Sequence, residues 1–413
     1  MRRHLLAGMA ALLIGASAAA QSVATPRDLP ATESAVAWID NDPAVVEARR
    51  ALAAAGHGAA VLEAGPYEWT AKAGALRRNV QGVGNSNEWL VGVERGFRIG
   101  GKAGLDRQLG EAEVAIGRAR VGAARLEVAR ALADLWLEAL AAQGAQRLHK
   151  EQLGFAEANL AAVDKRKRAG DASALDLSIA QSDLAEVRRQ ASRADSALAK
   201  ARAKLKLRFP EAALDAAAFT DPAEPMWPEA RWRERILAEA EALKIAEAQL
   251  RRAELTASRT DADKLSDPTL GVFTSNEAFG KERLVGLTLS IPIGGSAREQ
   301  RLLQSLQEVE VARAALERVR QGLEIDIAET YADAVGGVER WRIAERGAEA
   351  ARESARLTQR AYTLGEVDLQ SLLLVRRQSL ETLRAAVDAR AEALRWSYRL
   401  LIDAHLIWDL AND

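Results

Sequence analysis

The chain of 413 residues carries 57 basic and 58 acidic side chains; 28% of its residues are charged and only 5% are aromatic. This composition is typical of long helices that pack along narrow seams, and it argues against two or three globular domains with thick cores. The lack of cysteine excludes disulfides, thiolate metal sites and a lipid on an N-terminal cysteine. The nearly balanced charge gives no support to a nucleic-acid partner.

The first 20 residues have the pattern of an export signal. Arg2 and Arg3 form a basic start, residues 5–14 form an apolar run, and alanines 18–20 provide a small-residue cleavage site. The apolar run is too short to span a bilayer permanently, and no later segment approaches the ~20 apolar residues that a membrane helix needs. We therefore expect a signal peptide, residues 1–20, a mature chain outside the cytoplasm, and any membrane contact through β-strands.

The mature chain repeats one structural unit, in residues 21–208 and again in residues 229–413. Equivalent landmarks keep an almost constant spacing: Gly100 and Gly294 (294 − 100 = 194), Trp136 and Tyr331 (331 − 136 = 195), and Gly170 and Gly365 (365 − 170 = 195). A repeat of this kind determines the architecture before any single element does. Residues 209–228 include four prolines and are predicted to be the linker between the repeats.

The first repeat changes from a helical to an alternating pattern and back. Residues 21–30 are predicted to be a disordered lead-in, and Asp42 is predicted to cap a helix that runs from Pro43 to Leu62. Alternating apolar residues then predict a β-hairpin in residues 67–99. The elements that complete the repeat are a long helix, residues 102–169, and a returning helix, residues 173–208.

The second repeat is predicted to have the same order of elements. These are a helix from Glu229 to Asp261, a β-hairpin in residues 268–293, a long helix in residues 296–362 and a returning helix in residues 367–404.

The lengths of the two long helices exclude a compact domain. Residues 102–169 number 68 (169 − 102 + 1), which corresponds to about 100 Å of α-helix. The counterpart, residues 296–362, is about as long. Because the two shorter helices of each repeat together nearly match one long helix, we expect them to stack coaxially beside it.

The two hairpins have strands of about ten residues, the length that a membrane strand needs. An ordinary soluble, half-buried hairpin explains the alternation equally well. In a bilayer, four strands would leave two open edges at a cost of tens of kcal/mol, whereas folding stabilities are only about 5–15 kcal/mol. A membrane location therefore requires further copies of the chain: two copies would supply about the minimum number of strands for a membrane barrel, and three would supply twelve.

Several short motifs occur in a fixed order along both repeats. They are Asn41-Asp42-Pro43 at the first helix, Arg98-Ile99-Gly100-Gly101-Lys102 and Ser290-Ile291-Pro292-Ile293-Gly294-Gly295 at the strand-to-helix junctions, and the turns at residues 169–177 and 362–369. In this order and spacing they resemble the TolC-like outer-membrane efflux proteins over essentially the whole mature chain. The Gly-Gly-Lys junction is more similar to the heavy-metal branch, the cobalt-zinc-cadmium and copper-silver exporters.

The resemblance implies a mainly α fold with membrane β-structure, in which a duplicated unit gives four β-strands and long α-helical hairpins per chain. It implies a homotrimer whose twelve-stranded β-barrel crosses the outer membrane, in contact with its lipid, and continues as a twelve-helix α-barrel in the periplasm of a Gram-negative type envelope. Such a duct is the passive exit channel of a tripartite efflux pump. A periplasmic adaptor (membrane fusion) protein would join it to a proton-driven inner-membrane transporter, and the heavy-metal branch implies metal cations as cargo.

The candidate site is the pair of turns at the far ends of the long helices, where an α-barrel would have to narrow. Gly170 and Gly365 permit a left-handed exit from a helix. The resemblance places a constriction aspartate at Asp176 and a helix-linking tyrosine at Tyr362. Further candidates are Asp171 and Asp368 at the constriction, and Gly100, Gly101, Gly294 and Gly295 at the strand-to-helix junctions. A ring of carboxylates would attract cations; equally, acids in the first turn of a helix are favoured by its dipole alone.

The sequence offers no catalytic constellation and no cofactor motif, so we do not expect an enzyme. His57, His149 and His405 are far apart and have no second ligand at helical spacing, which argues against a metal site. One alternative is the same type of channel exporting drugs, other small molecules or a secreted polypeptide. The other is a periplasmic adaptor or coiled-coil scaffold, although an adaptor needs only one helical hairpin.

Overall fold

The computed structural model describes residues 23–214 and 218–410. The predicted signal peptide, residues 1–20, lies outside the described residues. Within these two ranges, no helix combines the length and the apolar character that crossing a membrane would require.

Helices and a single sheet make up the described chain. In chain order the elements are α1 (Thr32–Asn41), α2 (Pro43–Ala64), β1 (Thr70–Val80), β2 (Gly84–Gly96), α3 (Lys102–Arg168), α4 (Ala174–Arg208), α5 (Glu229–Glu239), α6 (Glu241–Ala262), β3 (Thr269–Glu277), β4 (Glu282–Ser290), α7 (Ser296–Leu364) and α8 (Leu369–Asp403). A 3-10 turn, Ala278–Gly280, separates β3 from β4.

The two long helices, α3 with 67 residues and α7 with 69, are each about 100 Å long. Both α2 and α4 pack along α3. The side chain of Arg208 at the end of α4 lies 3.0 Å from the carboxylate of Asp42, which caps α2. The two shorter helices therefore lie end to end beside the long one, as their lengths suggested.

Glycines on α3 allow α2 to approach closely. A Cβ atom at Gly110 would lie 2.8 Å from the Cβ of Ala59, and one at Gly117 would lie 3.1 Å from Leu52. In the second repeat α6 and α8 pack along α7, and both also touch α3. α3 is thus the helix around which the two repeats are joined.

The four strands form one antiparallel sheet in the order β1-β2-β3-β4. The contact between β2 and β3 joins the two hairpins, with Val93 opposite Val272. Since every strand is connected to a helix at the same end of the sheet, both hairpin loops lie at the opposite end, away from the helices.

The two faces of the sheet differ in character. One face carries apolar side chains that align across all four strands: Ala71, Ala73, Ala75, Trp89, Val91, Val93, Leu270, Val272, Val285, Leu287 and Leu289. This apolar face is exposed; Val285 is 80% exposed and Leu287 is 83% exposed. The opposite face, which we call the inner face, carries ion pairs such as Lys72 with Glu94 (2.5 Å).

The expectation of a single helix from Glu229 to Asp261 is wrong. The backbone of Ala240 is extended, with ψ near 105°, and separates α5 from α6. Trp232 and Ile236 bury α5 in a cluster with residues of α7 and α8. No glycine or proline marks this break, because it results from tertiary packing and not from local propensity.

The expectation of a disordered lead-in over residues 21–30 is also wrong for its described part. Asp28 is fully buried and accepts hydrogen bonds from the Tyr398 hydroxyl (2.5 Å) and the backbone N–H of Thr220 (3.2 Å). The indole N–H of Trp136 donates to the carbonyl oxygen of Asp28 (2.6 Å). This segment is therefore fixed against the middle of the helical body, where Trp136 itself is a core residue.

Candidate functional site

The turns at the ends of α3 and α7 have the same backbone construction. Gly170 and Gly365 are both left-handed, with φ of 82° and 79°. Beyond each glycine, a backbone N–H bonds back into the helix: Asp171 to the Arg166 carbonyl and Glu366 to the Ala361 carbonyl, both at 2.9 Å. This is the usual exit from a helix through a left-handed residue, and it lets the chain reverse into α4 and α8.

An apolar cluster holds the two turns together. It consists of Val163, Ala180, Leu369, Leu372 and Leu373, with Tyr362 and Leu177 packed at its margin. α3 and α4 contribute one side of the cluster and α8 the other. The sequence-predicted residues at the two turns therefore belong to one site, at the end of the helices farthest from the sheet.

Arg166 links the two turns. Its Nε atom lies 2.8 Å from the carboxylate of Asp171, and its Nη1 atom lies 3.4 Å from the hydroxyl of Tyr362. The guanidinium also lies 5.7 Å from the centre of the Tyr362 ring. Sequence analysis singled out Asp171 and Tyr362 but missed Arg166, because this contact joins residues 196 positions apart.

Asp176 forms a capping box with Ser173 at the start of α4. Its carboxylate accepts from the backbone N–H and the hydroxyl of Ser173, at 2.9 and 2.8 Å, and the Ser173 hydroxyl accepts from the N–H of Asp176. These hydrogen bonds lower the pKa of Asp176. The nearby charges of Arg166 and Asp368 also act on Asp176, with opposite signs. The two turns therefore share one electrostatic environment.

Asp368 caps α8 in the corresponding position. Its carboxylate accepts from the backbone N–H of Ser371 at 2.7 Å, which lowers the pKa of Asp368. Asp368 is exposed and Asp176 is half-buried; both are ionised at neutral pH, and both are part of a helix cap. Within a single chain, the hydrogen bonds of both acids are those of helix-capping residues, as the helix dipole alone would favour.

Basic residues surround these acids. The last turn of α3 consists of Lys165, Arg166, Lys167 and Arg168. Cations are favoured at the C-terminus of a helix and anions at the N-terminus. The tip of the first helical hairpin therefore places positive charge on α3 beside negative charge on α4, whereas the last turn of α7 carries no basic residue.

The two Gly-Gly junctions differ, although they are equivalent in sequence. Gly100 and Gly101 are left-handed, with φ of 67° and 79°. Gly295 is extended, with φ of −136°, and Gly294 is not left-handed either. The repeat is therefore approximate at the point where strands become helices.

The first junction contains a buried network of charges that sequence analysis missed. The ammonium of Lys102, 2% exposed, lies 2.7 Å from the Leu265 carbonyl and 2.8 Å from the carboxylate of Asp267. Burial opposes ionisation of Asp267, but hydrogen bonds from Lys102, the Ile99 N–H and Tyr67 outweigh it and lower the pKa of Asp267. The only sequence signal was the lysine that follows the two glycines.

A second ion-pair chain lies beside Lys102. Asp106 accepts from Arg98 at 2.8 Å and from Arg259 at 2.6 Å, and Arg259 also contacts Asp263. The network joins β2 and α3 of the first repeat to α6 of the second. It fixes the sheet on the helical body.

The described residues include no group of three or more His, Cys, Asp or Glu side chains that could hold a metal ion. His57 is exposed on α2, His149 is buried in α3, and His405 follows α8. These positions are far apart in the fold. No cofactor or resident metal is assigned to any of them.

No protein-family model and no curated protein sequence matches this chain. Several solved structures share its fold, among them OprN, CmeC and VceC. The outer-membrane channel OprN has 17% sequence identity and a TM-score of 0.72, and covers 99% of both chains. The CmeC outer membrane channel of Campylobacter jejuni has 13% identity and a TM-score of 0.72, over 92% of this chain and 86% of CmeC.

The outer membrane protein VceC of Vibrio cholerae has 16% identity and a TM-score of 0.72, over 90% of this chain and 95% of VceC. At these identities the likeness establishes the fold and not the activity. The structures with this fold are channels and not enzymes. The described chain has the fold of TolC-type outer-membrane channels.

Proposed function

We propose that this protein is the outer-membrane channel of a tripartite efflux pump. Three copies would close a twelve-stranded barrel in the outer membrane and a twelve-helix duct through the periplasm. An adaptor protein and a proton-driven inner-membrane transporter would complete the pump. The protein itself would be a passive exit duct.

The observation that carries this proposal is the exposed apolar face of a sheet with two open edges. Val285 and Leu287 are each 80% or more exposed. In a soluble hairpin, exposure of these apolar side chains to water would cost free energy. In the described chain, β1 and β4 each pair on one side only. Pairing of β4 with β1 of the next copy would satisfy both edges, and lipid would cover the apolar face.

The helical body supports the same assembly. Large apolar side chains of α7 remain exposed in the single chain: Leu303, Leu306, Val311, Ile325, Ile343 and Leu357. They are distributed along nearly the whole length of this helix. Neighbouring copies would cover them and continue the wall of helices around a lumen.

Heavy-metal cations are the proposed cargo, on the strength of the Gly-Gly-Lys resemblance. In this chain the motif also has a structural role, since residues of the second repeat hold the ammonium of Lys102 at the junction. The solved structures with this fold do not single out the metal-exporting branch. Drugs or other small molecules are the alternative cargo.

The first experiment is to isolate the protein from an outer-membrane fraction and to measure its mass in detergent by light scattering, with the detergent contribution subtracted. We expect three chains per particle and ion conductance in a planar bilayer. A monomer in the soluble periplasmic fraction would refute the channel and favour the adaptor or scaffold. Metal and drug tolerance of cells that depend on this channel would then separate the two cargo classes.

A further inference from the structure

Two arginines lie at the loop end of the sheet, on its apolar face. Arg77 follows Ala75 by two residues on β1, and Arg283 precedes Val285 by two residues on β4. Because side chains alternate along a strand, both arginines project on the same side as the apolar row. Both are exposed.

The arginine next to Arg77 on the inner face is neutralised within the chain. Arg78 lies 3.1 Å from the carboxylates of both Glu88 and Glu277. In contrast, Arg77 and Arg283 make no ion pair or hydrogen bond with any residue in the two described ranges. Both guanidinium groups are therefore available to bind a group outside the single chain.

The height of the apolar face fits a membrane whose surface passes through these arginines. Trp69, 66% exposed, and Arg77 are eight residues apart (77 − 69 = 8) at the two ends of the apolar row of β1. Eight residues of strand extend about 27 Å, which at the usual tilt of about 40° covers about 20 Å of the roughly 25 Å apolar band, and the long arginine side chains span the rest. With the row in acyl chains, Arg77 and Arg283 reach the headgroup layer on the loop side.

We propose that Arg77 and Arg283 bind the phosphate groups of an anionic membrane lipid in the leaflet on the loop side. The planar guanidinium group can bind a phosphate through two parallel hydrogen bonds. The two arginines stand on the two edge strands, so pairing of β4 with β1 of the next copy would bring them onto adjacent strands, and each copy would complete the other's site. The inference rests on the proposed trimer in the outer membrane.

The ligand is a lipid and not free phosphate, because both arginines emerge directly from the apolar row. A phosphate held there would have its acyl chains against side chains such as Val285 and Leu287. The test uses the full-length protein in detergent, titrated with diphosphorylated lipid A, with dephosphorylated lipid A, with phosphatidylcholine or with inorganic phosphate. Bound lipid is counted by native mass spectrometry, and the mass of the particle is read from the same spectra.

The variants are Arg77→Gln, Arg283→Gln and the double variant. Arg78→Gln is the matched control, since Arg78 is the next residue along β1 but faces the inner side. We expect each outward substitution to weaken binding of diphosphorylated lipid A about fivefold, and the double variant to weaken it about 25-fold. Arg78→Gln should bind as the unaltered protein does, and dephosphorylated lipid A should bind weakly to all.

Equal losses in Arg78→Gln, or undiminished binding by the double variant, would overturn the site. Inorganic phosphate that displaces lipid A at equal concentration would overturn the assignment to a membrane lipid. A trimer with no preference for phosphorylated lipid would refute this inference alone. A monomer that shows no such preference would refute the proposed assembly together with the site.

Discussion

Asp176 and Asp368 each have two properties that a substitution can separate. Each carboxylate accepts hydrogen bonds that begin a helix, and each places a negative charge at the open end of the helical body. Alanine would remove both the acceptor and the charge. Asparagine removes only the charge, because its amide oxygen still accepts a hydrogen bond.

We therefore expect Asp176→Asn to lower the cation preference of the proposed channel with only a small loss in thermal midpoint, and Asp176→Ala to lower both further. The charge would be removed three times over in a trimer. The measurement is the single-channel conductance and the reversal potential in a salt gradient. Glu310→Gln, an exposed acid on α7 far from the turns, is the control. A reversal potential that is unchanged in Asp176→Asn would remove Asp176 from the constriction.

His405 gives the helical body a sensitivity to acid. Its side chain is 3% exposed, its Nδ1 atom lies 4.0 Å from the Glu239 carboxylate, and neither ring nitrogen has a hydrogen-bond partner in the described chain. Burial lowers its pKa to about 4. The unfolded chain, with an ordinary histidine pKa of about 6.5, binds the proton more readily. Stability is therefore lost as the pH falls from about 6.5 to about 4.

We expect His405→Asn to flatten this dependence. Asparagine does not titrate and tolerates the left-handed backbone at this position, where φ is 53°. The free energy of unfolding that acid removes from the unaltered protein, and not from this variant, is about 3 kcal/mol, from the difference between the two pKa values. Thermal midpoints at about pH 7 and about pH 4.5 provide the measurement. His57→Asn, on the exposed side of α2, is the control; the same flattening in that variant would contradict a role for His405.

Sequence reasoning found the positions of the turn residues but not the contacts between them. Gly170, Gly365 and the acids that follow them are local signals, since helix exits and caps are determined within a few residues. Contacts such as Arg166 with Tyr362 depend on how two repeats pack. Nothing in either segment alone indicates them.

At the level of elements, the junction after β2 is where the two repeats are fixed to each other. Lys102 starts α3, yet its ammonium is held by residues that lie between α6 and β3. A buried charge pair becomes costly when one partner is removed, because the other charge is left without compensation. The junction should therefore be sensitive to substitutions that leave its apolar volume intact.

We expect Lys102→Met to destabilise the protein by about 3 kcal/mol, because the buried carboxylate of Asp267 loses its counter-ion and keeps only the hydrogen bonds from Ile99 and Tyr67. The measurement is the free energy of unfolding in denaturant, or the thermal midpoint if unfolding is irreversible. Lys72→Met is the matched control: its pair with Glu94 lies on the sheet surface and should cost at most about 1 kcal/mol. Equal losses in the two variants would mean that the junction network adds nothing to stability.

The long helices illustrate what periodicity can and cannot determine. The expected ranges 102–169 and 296–362 differ by one and two residues at their ends from the observed helices Lys102–Arg168 and Ser296–Leu364. Glycines and strong helix formers make such boundaries visible. The break at Ala240 and the helix α1 were not anticipated, because both depend on burial against distant helices that no local pattern records.

For the whole molecule, covalent linkage between copies tests most directly whether β4 of one copy pairs with β1 of the next. The chain contains no cysteine, so every disulfide formed would be an introduced one. Thr288 of β4 lies on the inner face, as do Lys72, Gly74 and Leu76 of β1. Three double variants, Thr288→Cys with each of these in turn to cysteine, test three registers.

We expect mild oxidation of outer-membrane preparations to yield covalent trimers in at least one double variant, because paired strands bring Cα atoms within about 7 Å. Denaturing gels without reductant provide the measurement, and the corresponding single-cysteine variants are the controls. Only monomers in all three registers would contradict a sheet closed between β4 and β1 of neighbouring copies.

The fold of the single chain was accessible from the internal repeat and from helix length, and the closed barrel of several copies stays a prediction. The asymmetry between the repeats was not accessible. Gly100-Gly101 and Gly294-Gly295 are identical in sequence, but only the first pair is left-handed and is followed by a buried lysine. The difference arises because the first junction packs against residues of the second repeat, Leu265 and Asp267.

The pairing of β2 with β3 has a consequence for how the chain folds. Trp89 lies opposite Asn276, 187 positions later (276 − 89 = 187). A chain that is synthesised from its N-terminus therefore presents the free edge of β2 long before its partner exists. Such contacts between distant segments slow folding, and an unpaired edge invites pairing with other chains. The edge of β2 must therefore stay unpaired until β3 has been synthesised. We expect this protein to be most prone to aggregation during that interval.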